Sequence, residues 1–497
     1  MDIDLIIVGV SLIAALVLGV WSGRNTDTIK DFAIGDSRAS AAALFATIVA
    51  TYVGGVQGLA EKTFTVGVVF PLIHSLGSIN LFFIGVFVAP RMKKYLGSAV
   101  SPGGLAYLFW GREGEIITGV AGVLYSLGRV AIQVCAIGFL FQGFLGVPYV
   151  WGTVIGCGVF IVYSAFGGVR AVLVTDAVQL LGVVLAIPFL SYLAIMNAGG
   201  IDFVLNSVPK ERLSIAPLWE QPMKYAPILF SFAIWLMDPA WMQRLLMGKG
   251  VLQLKKAFCF SSIVCFPVAL CSVCIGLSAL ATGPHIDPHV SVLHVIQTAA
   301  PAGLQGLIIA GLLAVIMSTV DSDLNVTSVM LICDILVPCK KRILTDSQML
   351  RYAQYGTFAL GAISIVVALY FRNIIDVLLY FNSFWAGTVL IPLSVSIFGY
   401  KSSKQAFMWS VGIGSLTILT WTVFGLEERF DVYSFFPSMI ANAVVFFGLN
   451  EYGKRYGVLE RESQRQAAKR ENILKERERA HRLGRPYLEA DDWMSLH

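Results

Sequence analysis

Thirteen times along its first 450 residues the chain runs apolar for about the thickness of a bilayer. The runs fall at 4–22, 41–60, 66–90, 115–144, 148–166, 174–197, 224–247, 257–281, 304–334, 352–371, 374–398, 406–424 and 433–451. About 20 apolar residues span a hydrocarbon core as a helix. In lipid, a backbone without water must satisfy itself, which leaves only helices and closed barrels. Barrel strands alternate in segments of about 10 residues, whereas these runs are continuously apolar. The expectation is an all-α polytopic membrane protein of about 13 transmembrane helices. Composition agrees: 57% of the 497 residues are hydrophobic and 13% charged, against roughly 25% charged in a soluble domain.

The positive residues orient these helices. Loops after odd-numbered runs hold 18 Lys and Arg, among them Arg24, Lys30, Arg91, Arg170, Arg244 and Lys249; loops after even-numbered runs hold 6. The N-terminus is therefore expected outside and the C-terminus in the cytoplasm of a cell (plasma or inner) membrane. The first run, Leu5 to Trp21, starts acidic and reads as a retained helix. The tail from Lys454 onward mixes charge signs and reads as a solvated cytosolic segment. A net charge of +5 spread between helices gives no nucleic-acid face, and no obligate protein partner is indicated. The eight cysteines lie in or beside apolar runs without a CxxC pair and read as small buried hydrophobes. The six histidines are scattered and no nucleophile elbow is present, so no enzymatic activity is expected.

Polar residues inside a span are costly and mark function. The second run contains Gly54, Gly55 and Gly58, each about 1 kcal/mol worse than Ala in a helix. A break there would free carbonyls for a cation; close packing through small residues is the alternative. Gln57 and Glu61 nearby suit no lipid face. In the seventh run Pro239 removes a backbone donor directly after Asp238. That carboxylate is placed to meet a cationic substrate group, a cation or an Arg, or merely to cap. In the ninth run Ser318, Thr319, Asp321 and Ser322 offer the oxygens a hard cation needs. Asp323 leaves that face and reads as an end-of-helix charge. Arg129 sits one turn from Tyr125 and from Gln133. It is shaped for a carboxylate, or for pairing with Asp238 or Glu61.

The glycine break, the string Gly167-Gly168-Val169-Arg170-Ala171-Val172-Leu173-Val174-Thr175-Asp176-Ala177-Val178-Gln179 and Met317-Ser318-Thr319 together resemble the sodium:solute symporter family. The resemblance covers roughly residues 5 to 450. It implies a LeuT-type core of two inverted five-helix repeats. The parts would be an extra N-terminal helix and cytoplasmic loop (1–40), a first repeat (41–197), an extracellular loop (198–223), a second repeat (224–399), two further helices (400–452) and a charged cytoplasmic tail (453–497). The broken helices of such a core would be the second and seventh runs.

Carried over residue by residue, the resemblance implies a sodium site at Ile48, Thr51, Val315, Ser318 and Thr319. It also implies a second cation site in some members, at Asp176, Asp321 and Ser322. Tyr52 stands where choline-type members have Trp, but Asp238 stands near where they place a cage Trp. Substrate contacts are expected from Tyr52, Gln57, Arg129, Gln133, Trp235, Asp238 and Trp241. The implied function is sodium-coupled symport of a small organic solute (an amino acid, a betaine- or choline-like compound, or a carboxylate) by alternating access. Sodium is then a co-transported partner. A proton-coupled carrier and a transporter-like sensor are the alternatives.

Overall fold

The computed structural model describes residues 2–35, 39–221, 225, 236–340, 344–370, 374–430 and 432–455, with 374–379 described by backbone alone. Every regular element among them is helical. Ten described helices are long and apolar enough to cross a membrane. One of them holds the fifth and sixth runs. The seventh run is described only in its second half, and the thirteenth is a further helix, Phe435–Arg455.

The chain opens with α1 (Asp2–Ser22). Ile6, Val10, Ile13 and Val17 lie exposed at helical spacing along it, an apolar stripe suited to a lipid surface. Next come α2 (Ala41–Val53) and α3 (Val56–Val66), separated by Gly54 and Gly55, and then α4 (Val69–Leu76). Ser40 begins α2, its hydroxyl accepting the Ala43 N–H. α5 (Pro102–Leu145) starts earlier than the expected run at 115–144 and turns at Gly111, where φ is 74°. Its first turns pack Trp110 flat on Phe407, with ring centroids 3.9 Å apart.

α6 (Tyr149–Asn197) joins two expected helices without a loop. Straight, its 49 residues would reach about 73 Å at 1.5 Å each, more than twice the bilayer core of about 30 Å. The chain therefore bends, at Gly168, with φ 56° and ψ −165°. A side chain there would be strained by the backbone and would also meet Phe32.

The second half comprises α7 (Pro239–Leu246), α8 (Val251–Thr282), α9 (Ser291–Ala299), α10 (Leu304–Val329), α11 (Asp346–Tyr370), α12 (Ile374–Trp385), α13 (Lys404–Val423) and α14 (Phe435–Arg455). α10 is the axis. It packs on α1, α2, α5, α6 and α11, and every residue from Val315 to Val329 is buried. Asp4 of α1 caps its start, one carboxylate oxygen taking the N–H groups of Gly303 and Gly306 at 2.7 and 2.6 Å. A carboxylate at a helix N-terminus meets both free donors and the positive end of the dipole.

Candidate functional site

α10 is polar on several faces, which meet α2, α5, α6 and α7. The first faces the break between α2 and α3. Carbonyls just before a break lose their partners four residues on, and side chains of α10 take up that role. The Ser318 hydroxyl donates to the Ala50 carbonyl at 3.1 Å, and Thr319 to the Thr51 carbonyl at 3.2 Å. Both hydroxyls also lie near the Val315 carbonyl, at 2.7 and 3.4 Å. Five uncharged oxygens from two helices thus converge where one helix is interrupted. Gly54 permits the approach, because a Cβ there would overlap the Thr319 side chain. Ile48 lies two residues before the carbonyl that Ser318 meets, inside regular α2.

The second face carries charge. Asp323 accepts from Arg129 Nε at 3.0 Å, and Arg129 Nη1 lies 3.4 Å from Asp238. Tyr125 donates to the same Asp238 oxygen at 2.6 Å, while the other oxygen caps α7 by accepting the Ala240 N–H at 2.7 Å. Pro239 at the first helical position suits this cap, since its missing N–H would be unpaired there anyway. The Arg129 side chain keeps 17% of its surface exposed, whereas Asp238 and Asp323 keep 1% each. That exposed edge lines a cavity of about 110 Å³ together with Tyr52, Gly55, Lys62, His74, Gln133, Trp241 and Thr319. The cavity therefore reaches from the hydroxyl cluster along α3 as far as Lys62. Tyr52 is fixed in its wall by donating to the His74 carbonyl at 2.9 Å.

The third face is sealed. Asp321 accepts from Tyr163 and, at 2.5 Å, from Ser164 of α6. Ser322 lies 3.0 Å from the Thr51 hydroxyl. Arg244 of α7 donates to Ser322 at 2.6 Å, Thr51 at 2.5 Å, Thr47 at 2.9 Å and the Ala240 carbonyl at 3.0 Å. Asp176, on α6, is fully buried beside this group.

Two sequence expectations change here. Arg244 is not a cytoplasmic loop charge: α7 begins only at Pro239 and turns it into the core, 2% exposed. The loop asymmetry survives its removal. Asp323 is not an end-of-helix charge, because α10 continues past it and it pairs with Arg129 in the interior. Glu61 pairs with His289 at 3.2 Å, not with Arg129. Of the expected substrate contacts, Tyr52, Arg129, Gln133 and Trp241 line the cavity. Gln57 is buried on α3 outside that lining, Asp238 is held behind Arg129, and Trp235 lies outside the described residues. His74, Lys62 and Tyr125 were not anticipated. Tyr125 carried a signal, one turn before Arg129; the other two did not.

A broken helix packed on a polar helix that is buried from Val315 to Val329, inside a shell of membrane-crossing helices, is the layout of a secondary transporter of the LeuT fold. A Na+-coupled sialic acid symporter in its substrate-bound outward-open state superposes with a TM-score of 0.76, at 19% identity over 90% of this chain and 96% of that one. MhsT in complex with L-phenylalanine gives 0.56, at 15% identity over 82% and 98%. Residues 32–414 match the sodium:solute symporter family. The chain belongs to that family and performs sodium-coupled solute symport. Among its relatives, the high-affinity proline transporter PutP of Bacillus subtilis (strain 168) is 23% identical over 456 residues, covering 87% of this chain and 94% of its own. Sodium/proline symporter 2 of Staphylococcus saprophyticus is 24% identical over 80% and 81%.

Proposed function

We propose that the co-transported solute is a small zwitterion of the amino-acid class, carried with sodium across the cell membrane by alternating access. The N-terminus lies outside and the C-terminus in the cytoplasm. The observation that carries this is the partly exposed Arg129 edge in the cavity, with two carboxylates fixed behind it. Ionised, Arg129, Lys62, Asp238 and Asp323 sum to zero. A solute bearing only a carboxylate or only a cation would unbalance the site. A zwitterion would not. The relatives that are proline symporters agree with this class.

Sodium would sit among Thr51, Val315, Ser318 and Thr319, with a further carbonyl from α2. Family correspondence points to Ile48, and the hydrogen bonds point to Ala50. All these ligands are neutral oxygens, which suits a hard monovalent cation. Binding there would tie α10 to the break, and α3 borders the cavity that takes the solute. Sodium and solute then favour the same conformation, which is what coupling requires. At −100 mV each inward sodium contributes about 2.3 kcal/mol, a concentrating factor of roughly fortyfold.

The test is sodium-gradient uptake in proteoliposomes with proline, a bare carboxylic acid and choline as competing solutes. Proline should compete best. Choline competing as well as proline would defeat the zwitterion reading. Ser318→Ala with Thr319→Ala should abolish sodium dependence; unchanged sodium dependence would remove the ion site from these residues.

A further inference from the structure

The solute cavity is walled by α3, through Gly55, Gly58 and Lys62, and by α5, through Arg129 and Gln133. At the Lys62 end, the link between α8 and α9 bridges the same two helices. It turns at Pro288–Val290, and His289 projects from that turn. The His289 Nδ1 lies 3.2 Å from an oxygen of Glu61 on α3, the neighbour of Lys62 in sequence. The imidazole lies flat on Phe139 of α5, with ring centroids 4.3 Å apart and planes 2° from parallel. Phe139 comes six residues after Gln133, about 9 Å further along α5. One side chain thus joins the two cavity walls just beyond the cavity.

α3 and α5 cannot part there without breaking one of its two contacts. The Phe139 contact needs no charge, whereas the Glu61 contact strengthens when the imidazole is protonated. The turn itself is fixed, since Asp287 accepts the His289 N–H at 3.0 Å, and Tyr149 backs Phe139 with centroids 4.7 Å apart. The turn packs chiefly on α3, α5 and α9. Glu61 raises the histidine's pKa above 6.5 against the effect of partial burial; Asp287 adds to the rise and Lys62 opposes it. α5 presents the uncharged Phe139 ring, and α9 carries His294, which lies 3.5 Å from the Thr282 hydroxyl. An imidazole changes charge between about pH 5 and 8, so the strength of this bridge changes over the same range.

We propose that His289 is a proton-operated clasp at the mouth of the solute cavity. Protonated, it ties α3 to α5 and narrows the way in; neutral, it lets the two helices part. A partly exposed ion pair shifts such an equilibrium modestly, so access should change by about two- to fivefold.

The test is the rate at which a membrane-impermeant methanethiosulfonate reagent modifies Gly58→Cys in the purified full chain. Gly58 lines the cavity, and a Cβ there meets nothing within 4 Å. The native cysteines are subtracted with the chain that keeps Gly58. Thiol ionisation cancels when rates are compared, at one pH, between backgrounds with His289 and with His289→Gln. At pH 6 the His289 background should react about two- to fivefold more slowly, and at pH 8.5 the two should match. Equal rates at both pH values would overturn the proposal, and so would a slow His289 background at both. Glu61→Gln should remove the difference at pH 6 with His289 still in place; a difference that survives it would also overturn the clasp. Should Gly58→Cys not fold, Gln133→Cys reads the same cavity from α5. No solute or ion gradient enters the measurement, so its outcome is independent of the solute reading above.

Discussion

Two arginines stand on either side of the broken helix and are used in opposite ways. Arg129 meets two carboxylates and keeps an edge in a cavity. Arg244 meets three hydroxyls and a carbonyl and keeps nothing exposed beyond a trace. A partly wet guanidinium with fixed anions behind it can exchange one contact for a ligand without being stranded. A sealed guanidinium bound to neutral oxygens cannot move without leaving several buried dipoles unpaired. The difference teaches that burial, more than residue type, separates a reading group from a holding group.

The sharpest way to break this contrast is Arg129→Gln. Uptake should fall by 100-fold or more, and thermal stability should drop by about 3–5 kcal/mol, because Asp238 and Asp323 are left without a cation. Adding Asp323→Asn should restore much of the stability, read by thermal unfolding, but not the uptake. Recovery of both would make Arg129 a structural residue like Arg244. Next, Arg244→Lys should lose stability by about 2–3 kcal/mol as hydrogen bonds from a charged group disappear, with the solute KM unchanged. A KM rise matching that of Arg129 variants would erase the distinction.

Gly54→Ala tests the space between the two. Its methyl group would overlap Thr319, an overpacking worth about 1–3 kcal/mol. The sodium concentration for half-maximal uptake should rise by about tenfold. The smallest effect lies at Glu61, which pairs with His289. That ion pair raises the His289 pKa above 6.5. A raised value means the pair stabilises fully below about 6.5 and fades as pH rises through the folded value. Wild type should therefore exceed His289→Gln in thermal stability by at most about 1 kcal/mol near pH 6, and the gap should close in alkaline buffer. A gap that widens with pH would reverse the sign.

Much of this was legible beforehand. Apolar runs give helices because lipid leaves the backbone no other choice, and Gly54-Gly55 and Asp238-Pro239 announce interruptions through local chemistry alone. Partnerships across the core were not legible. A run of Ser318, Thr319, Asp321, Ser322 and Asp323 tells that α10 is polar, but not which helix faces which residue. Arg244 misled because it lies near the end of an apolar run, where a loop charge and a buried one look alike. Gly168 misled in a smaller way: a turn made by one residue's positive φ needs no loop composition.

Asp4 carries a consequence for how the chain is made. Its carboxylate meets N–H groups 299 and 302 positions later. At roughly 5–20 residues per second of synthesis, α1 waits something like 15–60 s for the helix it caps. During that interval the carboxylate needs water, which holds the N-terminal end of α1 at the membrane surface until α10 arrives. Gly303 and Gly306 emerge while α11 to α14 are still unmade, so the contact serves as a clasp, closed in mid-synthesis, between the first helix and the central one.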